Sequence, residues 1–238
     1  MNNILIEGLD NLILKYSSSY ITEDAQEPKI LYHRSKAIIH DFNTELSKEI
    51  GLHCGTREQA DSKIDNKYLY QIELNNIGLA HITEDVEGSY GSIEFLNILI
   101  DSNIIDSLDY NNLLSKLRSK SDSKDKELEY SKIYRDFLLK KGFYGFTYPN
   151  RIEGEGISYC LISEKAIRSI RLVPEIIKEL AEEEKGVKFE IVDISFNNVT
   201  LKATKPITVG FYNKKLTLNI SKTDHYKNIF VFDYSRFR

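Results

Sequence analysis

The feature that most limits the fold is a change of hydrophobic period at Gly186. Before it, helical and strand patterns alternate; after it, only strand patterns occur. From Val187 the chain reads "VKFEIVDI", "NVTLKAT", "ITVGFYN", "KLTLNI" and "NIFVFDY", five short runs rich in β-branched and aromatic residues. Such side chains suit a pleated, half-buried surface. Asn197-Asn198 and Asn213-Lys214 are the turn residues between runs. Residues 187–238 are therefore expected to form a small antiparallel unit. The segment "LVPEIIKELAEEEKG" just before it has Pro174 near a first helical turn and Gly186 past the last, the asymmetry expected of helix ends.

Upstream, Leu5, Leu9, Leu12, Ile13 and Tyr16 keep helical spacing, so 3–16 reads as an amphipathic helix, and 17–28 as a polar connector ending in Pro28. "KILYHRS" is a short strand. Residues 36–50 read as a helix with Gly51 as its C-terminal stop. Leu52–Cys54 is a short strand, Gly55 a turn, and Thr56 lies three residues before Gln59, the spacing of a capping box, which starts a helix at Arg57. "YLYQIEL" (68–74) alternates as a half-buried strand. "SIEFLNILIDSNIIDSLDYNNLLSKL" reads as helix in pieces, and 118–127, without an apolar residue, as a mobile charged insertion. Tyr130, Ile133, Tyr134, Phe137 and Leu138 then share one helix face, which Gly142 ends.

Composition excludes several classes. A net charge of −4 over 238 residues argues against a general nucleic-acid binder, and so against a nucleic-acid acceptor, although a local basic groove stays compatible with it. Two cysteines, Cys54 and Cys160, make no disulfide framework and, with scattered histidines, no zinc-site spacing; no metal is expected. His53 and Cys54 are read as packing residues, and His40, His81 and His225 as surface residues. No apolar run approaches a membrane span. The first residues lack a basic start and carry Glu7 and Asp10, so cytoplasmic synthesis without a Sec signal is expected. No Gly-x-Gly-x-x-Gly or phosphate-loop signature occurs.

Three pieces place polar groups at the ends of strand-like runs: "LYHRS" (31–35), "GLHCGTREQA" (51–60) and "GFYGFTYPNRIEGEGISYCLIS" (142–163). The third sets Glu153 and Glu155 between two aromatic runs, where a plain hairpin would need only a turn. Together the pieces resemble the ADP-ribosyltransferase superfamily, in particular the bacterial and phage type found in polyvalent proteins. Leu31-Tyr32-His33-Arg34-Ser35 is similar to its first strand, Gly51 to Ala60 to its second block with Cys54 in the aromatic place, and Gly142 to Ile162 to its third, closed by Lys165-Ala166-Ile167-Arg168-Ser169. The resemblance covers roughly residues 29–170.

It implies an α+β fold: ADP-ribosyltransferase-like split antiparallel sheets forming an NAD cleft, helices around them, and the C-terminal β-rich extension. The organisation is then an N-terminal helix and connector at 1–28, the transferase-like domain at 29–186 and the β-rich unit at 187–238. It implies cleavage of the nicotinamide–ribose bond of NAD and mono-ADP-ribosyl transfer to a macromolecule, most naturally a protein side chain. That cleavage builds positive charge on the ribose, which a carboxylate stabilises; Glu153 or Glu155 would serve. Glu153-Gly154-Glu155 also resembles the Glu-x-Glu of arginine-modifying members, in which the first Glu positions the acceptor and the second acts on NAD. His33 would bond a ribose hydroxyl or the adenosine side. The backbone at Arg34 would clamp the carboxamide, or its guanidinium would reach a phosphate. Ser35, Gly55, Thr56, Tyr148 and Ser158 complete the expected NAD contacts. Ser62 stands near the family's stacking aromatic, leaving Tyr144 and Tyr148 as candidates for it. Ser158 occupies the position where many relatives carry the catalytic Glu. Two other readings follow: a catalytically inactive module of the same fold that binds a nucleotide or a protein, and an NAD glycohydrolase. A toxin, effector or phage-defence context, with delivery by a signal-less route, is implied by the resemblance alone.

Overall fold

A computed structural model of the chain describes residues 30–36, 39, 49–63, 65–75, 78–86, 88–154, 156–195, 198–205, 219–224 and 229–233. The expected helix at 3–16, the connector after it, most of the expected helix at 36–50, the run "ITVGFYN", the Asn213-Lys214 turn, His40, His225 and Glu155 lie outside these residues. In chain order the elements are β1 (Ile30–Ser35), β2 (Leu52–Cys54), α1 (Arg57–Asp61), β3 (Tyr68–Leu74), β4 (Leu79–His81), α2 (Glu94–Asp101), α3 (Ser107–Arg118), α4 (Lys126–Lys140), β5 (Gly145–Pro149), β6 (Ile157–Leu161), β7 (Ile167–Leu172), α5 (Pro174–Lys185), β8 (Phe189–Ile194), β9 (Asn198–Ala203), β10 (Asn219–Asp224) and β11 (Ile229–Asp233). Helices and largely antiparallel sheets are thus combined as expected of an α+β chain.

The described residues fall into two compact units. The first draws on Met1–Leu31, Asn43–Ser62 and Glu73–Arg168, the second on Tyr32–Phe42, Lys63–Ile72 and Ser169–Arg238. Residues 169–186 therefore group with the C-terminal strands, and the stretch from 29 to 186 is shared between the units.

In the first unit, a sheet of order β2-β6-β5-β4 is mixed, not wholly antiparallel. β2 pairs with β6 and β6 with β5 antiparallel, but β4 runs parallel to β5, with Leu79 opposite Gly145 and His81 opposite Thr147. The physical reason is the length of chain between them: a parallel pair needs a long crossover, and α2, α3 and α4 supply it. Phe95 of α2 is the centre of the core. It meets Tyr134 edge-on at 5.0 Å and 87° and Phe146 of β5 at 5.6 Å, arrangements worth about 0.5–1.5 kcal/mol beyond area burial. The buried Tyr134 hydroxyl donates to the Ser92 carbonyl at 2.8 Å. The face read on α4 is the buried one: Tyr130, Tyr134 and Leu138 are fully buried, with Ile133 and Phe137 packed against the same cluster. Gly142, at φ 86°, ends that helix; Gly142 N–H donates to Leu139 C=O and Phe143 N–H to Leu138 C=O, the paired bonds of a Schellman stop. The charged stretch after Arg118 joins α3 to α4, and its last two residues already belong to α4.

Gly51 has a different role from the one expected. It is not in the left-handed region; a Cβ there would collide with the Leu161 carbonyl oxygen and lie 2.9 Å from Leu161 C and 3.0 Å from Cys160 Sγ. Glycine is needed for the close approach to β6. Gly55, expected as a turn, is buried and is a bridge residue directly after β2.

β1, β3 and β7 form a further sheet in that order, with β3 central. Tyr70 and Ile72 are buried as the alternation predicts, and Leu69 on the opposite face is buried as well. The Tyr70 hydroxyl accepts the Ile39 N–H at 2.7 Å. The C-terminal strands form an antiparallel sheet of order β10-β11-β9-β8. α5, capped by Gly186 at φ 63°, packs against β8 and β9. Among the described residues no helix is long and apolar enough to cross a membrane.

Candidate functional site

In the loop between β5 and β6, Asn150 is the organising residue. Asn150 is 2% exposed. Its Oδ1 accepts the N–H groups of Ile152 and Glu153, each at 3.0 Å. Its Nδ2 donates to Glu153 Oε2 at 3.2 Å and Ser158 Oγ at 3.0 Å. Its own N–H donates to Gly156 C=O at 3.0 Å. An Asn whose side chain accepts backbone N–H groups two and three residues on is an Asx turn. Here the same side chain also binds the carboxylate that the turn presents. Ile152, 72% exposed, stands at the outside of the loop, and Arg151 N–H donates to Asp85 Oδ2 at 3.1 Å.

Gly154 and Gly156 have φ of 126° and 141°, a region that side chains with a Cβ rarely enter. They let the chain turn beside the start of α1. There Thr56 Oγ1 accepts Gln59 N–H at 3.2 Å and Gln59 Oε1 accepts Thr56 N–H at 2.9 Å, the capping box predicted from spacing. Gln59 is buried, and its Nε2 points at Gly154 C=O, 3.5 Å away. The second and third sequence blocks therefore meet through Gln59, within one unit.

Tyr148 and Ser158 face each other across β5 and β6, and both are buried, at 3% and 2% exposure. The Tyr148 hydroxyl bonds His53 Nδ1 at 2.9 Å. The His53 ring lies 5.1 Å from that of Tyr90, and its Nε2 is 3.7 Å from Glu49 Oε2. Tyr148 is thus a core residue that anchors His53. Cys54 and Cys160 are buried free thiols whose pKa values burial pushes well up, which removes them as nucleophiles. His81, exposed, bonds Thr147 Oγ1 at 2.8 Å.

His33, Arg34 and Ser35 belong to β1 in the second unit, all half-buried. Arg34 Nη1 donates to Asn66 C=O at 3.2 Å, and Asn66 Nδ2 donates back to Arg34 C=O at 3.3 Å. That carbonyl is one of the two main-chain groups expected to clamp a carboxamide. Within the first unit, Glu153, Ser158, Thr56 and the Gly154–Gly156 turn come together. The sequence marks Gln59 as the capping-box partner but not as the link to Gly154, and it gives Asn150 no separate role; the signal there was an Asn three residues before a Glu.

A cavity of about 330 Å³ in the second unit is lined by Glu179, Glu182, Glu183, Gly186, Val187 and Lys188. Three carboxylates at the negative end of a helix disfavour a pyrophosphate there. Glu182 is occupied structurally: a hydrogen bond from Lys188, and then one from Phe189 N–H, hold its carboxyl below the usual range. Among the described residues no group of three or more His, Cys, Asp or Glu is placed to hold a metal ion. Comparison with protein-family models, with curated proteins and with solved structures finds no match.

Proposed function

We propose that the chain is an NAD-dependent mono-ADP-ribosyltransferase with an ADP-ribosyltransferase-like fold, acting on a macromolecular acceptor, most naturally a protein side chain. The observation that supports this is the Glu153 carboxylate, bonded by Asn150 Nδ2 on the β5–β6 loop, in the third of three ordered blocks that resemble that superfamily. In the proposed reaction the bond between ribose C1′ and the nicotinamide nitrogen breaks. Nicotinamide leaves with the electron pair, an acceptor nucleophile bonds to C1′, and the acceptor's proton passes to solvent. Glu153 stabilises the cationic ribose and holds a ribose hydroxyl. Glu155 acts on the acceptor or shares this task, and the resemblance alone assigns dinucleotide contacts to His33, Arg34, Ser35, Gly55 and Thr56; the Thr56 N–H is already taken by Gln59 Oε1.

A second reading is favoured by Ser158. It is buried and bonded to Asn150 at the position where many members of the resembled family carry Glu, which would suit an inactive nucleotide- or protein-binding module. The test incubates the chain with biotin-labelled NAD and a cell lysate, beside Glu153→Gln. A labelled band with the wild type that the variant lacks is the expected result. Released nicotinamide without label would mean an NAD glycohydrolase. Neither product would refute the enzyme and leave the binding module.

A further inference from the structure

Resting on that reading, we propose that Asn150 is the residue that positions the Glu153 carboxylate, and that this task, not loop closure, is why the position holds an amide. The argument is one of inventory. A side-chain amide offers two acceptor sites on oxygen and two N–H donors. Asn150, 2% exposed, uses all four: Oδ1 takes the Ile152 and Glu153 N–H groups, and Nδ2 serves Glu153 Oε2 and Ser158 Oγ. These partners also fix the orientation of the amide, since two N–H groups require the oxygen and a carboxylate requires the nitrogen.

Closing the turn needs only the oxygen. Aspartate closes Asx turns as well as asparagine does, and its charged oxygens accept N–H bonds more strongly. What asparagine adds is Nδ2, whose partners are a carboxylate and a buried hydroxyl. Ser158 Oγ holds Nδ2 from the β6 side, so the donor is itself fixed in direction. The Nδ2 bond fixes the direction of Glu153 Oε2, which is what a group that must meet a developing charge requires. Gly154 and Gly156 let the backbone turn away directly after Glu153, so that both ends of the loop are determined.

The test uses the full chain in four forms: wild type, Asn150→Asp, Glu153→Gln and the double variant. Nicotinamide release gives kcat and KM for NAD against pH, and thermal melting reports the fold. Asn150→Asp keeps the oxygen that closes the loop but sets a second carboxylate against Glu153. We expect kcat to fall about 100-fold with KM for NAD within about threefold of wild type. The acid limb of the pH–rate profile should move up by about one unit, because two adjacent carboxylates resist joint ionisation. The double variant reverses donor and acceptor, and should recover the wild-type melting temperature while staying inactive. An asparagine whose bond to Glu153 served only the fold would show the recovery in melting without the selective fall in kcat. Wild-type kcat with an unmoved limb in Asn150→Asp overturns the proposal. So does a double variant that melts no higher than Asn150→Asp alone. A wild type that releases no nicotinamide is a different failure: it removes the transferase reading, and the positioning role falls with it.

Discussion

Two glycines of the first unit are required for opposite reasons, and substitution separates them. At Gly51 the backbone is ordinary but space is lacking. An alanine Cβ would overlap the Leu161 carbonyl oxygen and lie 2.9 Å from its carbon. The neighbour is backbone of β6, which cannot rotate away as a side chain can, so β2 must move by several tenths of an ångström. β2 is three residues long and is held to β6 by the pairs Leu52–Leu161, His53–Cys160 and Cys54–Tyr159. Overpacking of this kind costs about 1–3 kcal/mol, and loosening one ladder bond adds about 1 kcal/mol. We therefore expect Gly51→Ala to cost about 2–4 kcal/mol, a fall in melting temperature of roughly 5–15 °C. At Gly142 there is open space, since nothing lies within 4 Å of an added Cβ, but φ is 86°. Gly142→Ala should cost about 1–2 kcal/mol from the left-handed backbone alone. The discriminating variant is asparagine, which tolerates that region. Gly142→Asn should recover a good part of the loss, whereas Gly51→Asn should be worse than Gly51→Ala. Urea denaturation at constant slope measures all four. Gly51→Ala within about 0.5 kcal/mol of wild type, or rescue of Gly51 by asparagine, would refute the steric argument.

Two further outcomes follow from burial. Burial raises the Tyr70 phenol from 10.0 to about 12, so the folded chain keeps a proton that the unfolded chain gives up. Stability is whole below pH 10 and is lost as pH rises toward about 12, by roughly 2–3 kcal/mol from this residue; urea midpoints between pH 9 and pH 12 should fall less steeply in Tyr70→Phe, and an equal slope would contradict the assignment. Cys54 and Cys160 are buried with raised pKa values, so a thiol reagent at pH 8 should label neither cysteine in the native chain and both in urea.

Much of the local structure was legible because its causes are local. The capping box at Thr56, the stop at Gly142 and the Pro174 start each act within about one helical turn, and three or four residues contain the whole signal. The alternation of 68–74 and the face of α4 were legible for a related reason, since a buried face imposes its period on one element at a time. β4 was not. Leu79–His81 is too short to carry a period, and what makes it a strand is its pairing with β5, 66 residues away at His81 and Thr147. The role of Gly51 was hidden likewise, because the atoms it must avoid belong to β6.

The candidate site divides along the same line. Sequence alone marked out the carboxylates between two aromatic runs and the Thr56 cap. It also separated the mixed helix-and-strand part of the chain from the strand patterns after Gly186, because period and turn chemistry are properties of neighbouring residues. Only the tertiary structure decided that Asn150 bonds both Glu153 and Ser158, that Gln59 joins α1 to the β5–β6 loop, and that Tyr148 is a buried partner of His53. Those outcomes depend on the register between β2, β6 and β5, which is set by packing summed over the whole sheet, and no short stretch of residues contains it.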